Sequence, residues 1–341
     1  MPSAAPQQYA GRVISVLMPV RNAISTVAAA LESTLAQRGA PAFEVVCVDD
    51  ASTDGTRDVL EGFARTDARV RVVAGAGRGL VAALQIGLCD CRGDLIARMD
   101  ADDLVDPERL RLQSELLSRD VGLGAVGSLV RCFPGPLTPG LARLEGWLNS
   151  VVTADQCAAA RFVEAPLVHP STMFRRDALD AVGGWRDVGW AEDWDLLLRL
   201  FDAGWRCAKV PEVLLFWRDS PHRLTRTGEA YRAGKMIELR AHHLARGPLR
   251  GRTFDVWGAG PTGKRLARAL ERHGMRPRRF WDVDRKKRIA RGVQVATADE
   301  LRGPDGALIV CAVGAAGARE EIRAQLQPRG FEEGRDFLFA A

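Results

Sequence analysis

Within the first hundred residues, short apolar runs alternate with segments of helical spacing, and two of those runs close on aspartates. Val13 to Val20 reads as a buried strand and Ile24 to Gln37 as a helix. Phe43 to Val48 is a second buried strand, ending in Asp49 and Asp50; Ser52 to Asp54 then offers capping side chains to a helix over Thr56 to Ala64. Val70 to Val73 is a third strand and Gly79 to Leu88 a helix. Asp94 to Met99 is a fourth strand, running into Asp100, Asp102 and Asp103. Strands separated by helices pair in parallel, with helices over both faces. Such sheets bind ligands beyond the carboxyl ends of their strands. The aspartates therefore fall where a ligand is expected.

The pattern continues with a helix from Pro107 to Leu117, a strand from Val121 to Phe133 and a loop from Pro134 to Gly140. Next come a strand over Leu167 to Phe174, a turn at Gly183-Gly184-Trp185, a helix from Glu192 to Asp202, a strand over Val213 to Trp217 and a helix from Tyr231 to Leu244. Gly247, Pro248 and Gly251 then interrupt the chain. With 341 residues, two domains are expected: a flexible N-terminus at 1–11, a first domain at 12–245, a linker at 246–252 and a second domain at 253–341.

Hydrophobic residues at 47% and charged residues at 27% suit a packed core and exclude long disorder. The net charge of +5 is spread as arginines, without the basic stripe and interleaved aromatics of a nucleic-acid binder. At most it favours peripheral contact with acidic lipid. The seven cysteines show no metal-binding spacing and suit a reducing cytoplasm. The N-terminus lacks a signal-peptide pattern, and no apolar run reaches the length of a membrane span.

On an extended segment, Asp100 and Asp102 share one side of the chain. Two converging carboxylates repel unless a cation sits between them, and hard divalent ions take oxygen ligands. A capped, aspartate-rich turn ahead of the helix at Pro107 is the structural alternative.

Five segments, in order, resemble family 2 glycosyltransferases: ISVLMPVRN at Ile14 to Asn22, VDDASTDGT at Val48 to Thr56, IARMDADDL at Ile96 to Leu104, HPSTMFRR at His169 to Arg176 with GGWRD at Gly183 to Asp187, and AEDWDLLLRL at Ala191 to Leu200. The resemblance spans about residues 12 to 245. It implies an α/β GT-A nucleotide-sugar-binding fold with a mostly parallel central sheet, and a nucleotide-sugar donor, most often a UDP-sugar. Asp49 and Asp50 would meet base and ribose, and Val20 and Arg21 would line the nucleotide pocket. Asp100 and Asp102, flanking Ala101, would hold Mn²⁺ or Mg²⁺ on the diphosphate. Arg78 and Gly79 would approach the nucleotide by analogy, although the asparagine often seen there is absent. The acceptor would be a glycan, a lipid-linked glycan or a protein.

Inverting transfer needs one group to take the acceptor's hydroxyl proton. The resemblance gives that role to Asp193, with Glu192 orienting the acceptor. Both open a helix, whose dipole favours negative charge, so helix-end complementarity accounts for them equally well. Trp185 after two glycines suits an aromatic face offered to a sugar, and His169 a pocket position; ordinary packing is the alternative for each. His222 is a candidate third metal ligand, and an exposed loop histidine otherwise.

Beyond residue 252 a strand, a G-x-G-x-x-G run at Gly258, Gly260 and Gly263, and a helix follow in sequence, with Asp282 about twenty residues on. The order fits a dinucleotide fingerprint in a small Rossmann-like α/β domain; close helix–strand packing explains the glycines as well. Three functions are therefore open: a glycosyltransferase, a dinucleotide-dependent oxidoreductase that would leave the aspartates unexplained, and a catalytically silent binding protein.

Overall fold

The computed structural model describes residues 13–221 and 223–341. The expected flexible N-terminus, 1–11, and the metal-ligand expectation for His222 lie outside the described residues. The chain divides into two compact units: Met1–Ala158 with Pro166–Val188 and Arg199–Arg223, and Ala159–Ala165 with Gly189–Leu198 and Leu224–Ala341. The expected linker at 246–252 falls inside the second unit, which also takes up the helix before it.

The first unit is built on an eight-stranded sheet. Its strands are β1 (Ile14–Val20), β2 (Phe43–Asp49), β3 (Val70–Ala74), β4 (Leu95–Arg98), β5 (Leu104–Val105), β6 (Leu123–Phe133), β7 (Met173–Arg175) and β8 (Arg206–Arg218), in spatial order β3-β2-β1-β4-β7-β6-β8-β5. The β3-β2-β1-β4 half is parallel. The other half mixes antiparallel pairs with the parallel β6–β8 pair. Helices α1 (Val27–Leu35), α2 (Thr56–Thr66), α3 (Leu80–Asp90) and α4 (Arg109–Arg119) connect the parallel strands and lead on to β6. β1 is buried along its whole length because helices cover both faces of a central parallel strand. Val16, Met18, Val45, Cys47 and Ala97 form the middle of the core.

Three local expectations need correction. α5 (Pro139–Ser150) and α6 (Ala154–Ala160) follow the Pro/Gly-rich loop; Gly140 and Gly146 obscure the helical pattern, while Thr138 caps α5 by accepting from Leu141 N–H at 3.3 Å. The segment read as a strand over Leu167 to Phe174 is a single 3₁₀ turn at His169–Ser171 followed by β7. Pro170 has no N–H for a ladder, and Ser171 N–H bonds instead to Val168 O at 2.8 Å. β8 starts well before Val213. Its register jumps from Val210 to Val213 against β6, bulging out Pro211, which broke the sequence pattern.

The remaining helices are α7 (Arg176–Val182), α8 (Glu192–Asp202), α9 (Leu224–Thr227), α10 (Ala233–Arg246), α11 (Pro261–Glu271) and α12 (Ala318–Leu326). The second unit holds a six-stranded sheet of β9 (Phe254–Trp257), β10 (Phe280–Asp282), β11 (Ile289–Ala290), β12 (Val293–Thr297), β13 (Leu308–Cys311) and β14 (Phe337–Phe339), ordered β11-β12-β10-β9-β13-β14. All its pairings are parallel except β11–β12. Leu239, Leu244, Val256, Leu266 and Leu270 pack α10 and α11 with β9.

Candidate active site

In the first unit β1 lies between β2 and β4, with Val20 opposite Asp49 and Leu17 opposite Arg98. The two acid-ended strands therefore flank one strand and release their aspartates at the same edge.

Asp49 and Asp50 are both buried. Asp49 Oδ1 accepts from Ser52 N–H at 3.2 Å, and Arg57 lies 3.6 Å from its other oxygen. Asp50 Oδ2 accepts from Gly79 N–H at 2.8 Å and has Arg21 at 3.6 Å. Asp50 Oδ1 is buried without a hydrogen-bond partner among the described residues. The loop after β1 is laced to the loop after β2: Asn22 N–H donates to Ser52 Oγ, and Thr53 N–H donates to Asn22 Oδ1, each at 2.9 Å. Ser52 and Thr53 thus tie loops together, the N-cap of α2 is Gly55, and Asp54 Oδ1 accepts from Thr56 N–H at 3.0 Å at the start of the helix. Val20 is buried, and Arg78 is exposed beside Gly79.

Asp100, Asp102 and Asp103 each offer a carboxylate oxygen within 4.8 Å of the others. The segment is a turn, and this brings Asp103 in with the pair that strand alternation had selected. Buried Arg98 pairs with Asp100. Arg218 on β8 donates its N–H to Asp103 Oδ1 at 2.7 Å and its Nε–H to Asp102 O at 2.6 Å. Asp103 Oδ2 is buried with no hydrogen-bond partner among the described residues. Burial, then the charge of Asp100, raises the carboxyl of Asp102 above its ordinary range. The Asp103 carboxyl is raised well above it, by burial and then by Asp100 and Asp102. Arg218 was not legible as a partner, because β8 reaches β5 through sheet pairing alone.

Trp185 is 1% exposed, so its face is covered by protein where a platform for sugar was expected. It stands edge-on to Phe174, and its indole N–H donates to His169 Nε2 at 2.9 Å. His169 is buried, and burial followed by Arg98 pushes its pKa well below the ordinary value. The pair is buried structure of the first unit.

In the second unit, Glu192 and Asp193 open α8. Glu192 is buried and accepts from the Tyr231 hydroxyl at 2.7 Å. Asp193 is half-buried and accepts from Trp194 N–H at 2.7 Å. Two residues on, Asp195 Oδ1 is 3.0 Å from His243 Nε2 and accepts from Trp190 Nε1–H at 3.2 Å. Arg199, one turn further along α8, donates to Val182 O at 2.6 Å.

The fold is that of the GT-A glycosyltransferases. In solved structures the same architecture recurs in Staphylococcus aureus TarS (TM-score 0.54, 19% identity, covering 76% of this chain and 71% of that one). It also recurs in the mannosyltransferase PcManGT of Pyrobaculum calidifontis, solved with GDP-Man and Mn²⁺ (TM-score 0.51, 26% identity, 69% and 62% covered). A relative named "Putative glycosyltransferase EpsE" in Bacillus subtilis is 32% identical over 226 residues, which cover 65% of this chain and 78% of that protein. The sequence model of glycosyl transferase family 2 matches residues 15–183. The chain belongs to glycosyl transferase family 2. No helix among the described residues is long and apolar enough to cross a membrane.

Proposed function

We propose that the chain is an inverting, divalent-metal-dependent transferase moving a sugar from a UDP-sugar to an acceptor hydroxyl on a glycan, a lipid-linked glycan or a protein. The observation that carries this reading is the grouping of Asp100, Asp102 and Asp103 with a buried Asp103 oxygen that lacks a hydrogen bond among the described residues. Three mutually repelling carboxylates with an unsatisfied oxygen fit a hard cation, Mn²⁺ or Mg²⁺. When bound, that ion neutralises charge on the departing diphosphate. PcManGT, solved with GDP-Man and Mn²⁺, supports a nucleotide-sugar donor and a divalent ion.

Asp50 Oδ1, buried and without a hydrogen bond among the described residues, suits acceptance from the uracil imide N–H. Arg21 and Arg78 lie on the loops beside it and attract the donor's negative charge. Asp193 acts as base. Its carboxylate takes the acceptor's hydroxyl proton as that oxygen bonds to the anomeric carbon, and the bond from that carbon to the diphosphate oxygen breaks, its electron pair leaving with the nucleoside diphosphate. Glu192, held by Tyr231, orients the acceptor. All seven cysteines are free thiols, which suits work in a reducing cytoplasm, with at most peripheral membrane contact.

Calorimetric titration of wild type and Asp102→Asn with UDP and GDP, with and without Mn²⁺, tests this. UDP binding that needs Mn²⁺ and disappears in Asp102→Asn is expected; equal binding without metal or in the variant sinks the metal site, and preference for GDP sinks the UDP assignment. Asp193→Asn should keep donor affinity while transfer falls by about 10² to 10⁴-fold.

A further inference from the structure

A cavity of about 440 Å³ lies beyond the carboxyl ends of β9, β10 and β13, wholly within the second unit. The loop from Gly258 to Thr262, Lys287, the Ala312–Ala315 loop and one face of α12 form its walls. In a parallel sheet this edge is where ligands bind, and the volume falls in the range of small-molecule sites.

The glycines of the loop separate into two kinds. Gly258 has φ 105°, and a Cβ there would lie 2.7 Å from Val313 Cγ2. At Gly263 a Cβ would lie 1.9 Å from Gly258 O, so this residue is fixed by the contact of α11 with the end of β9. Gly260 is different. Its backbone is extended, at φ −83° and ψ −173°, which any residue adopts, and a Cβ would meet no atom within 4 Å. Gly314, on the facing loop, likewise lies outside the left-handed region with nothing within 4 Å. Neither backbone geometry nor packing requires glycine at these two cavity-lining positions. At both, the absent Cβ leaves the main chain bare to the cavity, so a ligand can approach it closely.

We infer that this cavity is a second ligand site, separate from the transferase reading, for a nucleoside phosphate of mononucleotide size. The phosphate sits over Gly260 at the start of α11, where outward-facing N–H groups and the helix dipole favour negative charge. Lys287 stands on the cavity wall and supplies a cation. Glu321 also lines the cavity, in the first turn of α12, so the phosphate belongs on the α11 side.

Asp282 stands where a dinucleotide fingerprint uses a carboxylate for the ribose hydroxyls. Here it is already engaged: Oδ2 accepts from Ala259 N–H at 2.8 Å and Lys287 Nζ at 2.9 Å, and Oδ1 from Asp284 N–H at 2.9 Å. Its work is to hold the glycine loop and Lys287 in place. Asp282 therefore shapes the site through the loop and Lys287, and the mononucleotide size follows from the cavity volume of about 440 Å³.

The test is calorimetry on the full chain carrying Asp102→Asn, in EDTA so that the metal-dependent site is silent, with ADP, NADH and inorganic phosphate as probes. ADP should bind, and adding Gly260→Ala should weaken it about tenfold or more at an unchanged melting temperature. Gly314→Ala on the opposite wall provides the same test if Gly260→Ala does not fold. Absence of ADP binding, or ADP binding indifferent to both substitutions, overturns the site. Phosphate binding as tightly as ADP overturns the nucleoside assignment, and NADH binding far tighter than ADP overturns the mononucleotide size. Loss of metal-dependent UDP binding in the parent chain would instead bear only on the transferase reading.

Discussion

Asp103→Asn should stabilise the metal-free protein and weaken its response to metal. Asp103 is 1% exposed, and its Oδ2 has no hydrogen-bond partner among the described residues. Two unit charges 4.8 Å apart, the limit on the oxygen separations here, repel by about 3.5 kcal/mol at an effective dielectric of about 20. Without a cation, the folded protein must either carry that repulsion or hold a proton on Asp103, whose carboxyl burial, Asp100 and Asp102 raise well above the ordinary range. The Arg218 N–H and the charge of Arg98 oppose the shift and are outweighed. Asparagine removes the charge, keeps an oxygen for the Arg218 N–H, and gives its amide hydrogens two neighbouring carboxylates as acceptors. Relief of about 1–3 kcal/mol is expected, or roughly 2–4 °C in melting temperature per kcal/mol for a protein of this size class. Wild type should recover about 2.7 kcal/mol from Mn²⁺ at a hundred times its Kd, and the variant much less. Thermal melts at neutral pH, in EDTA and in Mn²⁺, measure both effects. A variant that melts below wild type in EDTA, or that gains as much from Mn²⁺, would refute the account of Asp103 as a charge held in reserve for a cation.

Two further outcomes follow from the same geometry. His169 is buried and neutral, with its folded pKa well below the ordinary value; the unfolded chain takes up a proton that the folded one refuses as pH falls below about 6.5, so stability is lost toward acid, by up to about 1.4 kcal/mol per pH unit. His169→Gln, which leaves the side chain neutral at every pH, should flatten the acid limb of melting temperature against pH; an unchanged slope would show that other groups set it. Gly263→Ala should cost several degrees of melting temperature, because its Cβ would overlap Gly258 O at 1.9 Å and overpacking costs about 1–3 kcal/mol; a variant as stable as wild type would mean the turn relaxes freely and the division between structural and ligand-facing glycines is wrong.

The parallel half of the first sheet was legible from sequence because its determinants are local. The unbroken apolar run from Ile14 to Val20 matches a strand shielded from solvent on both faces, and Arg21 ends it with a charge. The run from Phe43 ends in the same way, at Asp49 and Asp50. The motif order from Ile14 to Leu200 likewise led directly to the family. The α8 boundaries, Glu192–Asp202, were legible too, from the leucine stripe and the acids at its start. Tertiary structure decided the rest. Pro170 turned much of an expected strand into a 3₁₀ turn, and Pro211 hid the first half of β8, where the chain bulges and pairs on, because a missing N–H shows its effect only once a neighbouring strand is in place. Asp103 joined Asp100 and Asp102 only through the turn that carries them, and Arg218 reached Asp102 and Asp103 from more than a hundred residues away through strand pairing. Trp185 became core instead of platform, since burial depends on Phe174 and His169, which lie elsewhere in the chain. In the C-terminal unit the sequence supplied three glycines of equal standing. Only the folded backbone, with Gly258 O against Gly263 and open space above Gly260, separated the residues that packing requires from the one it does not.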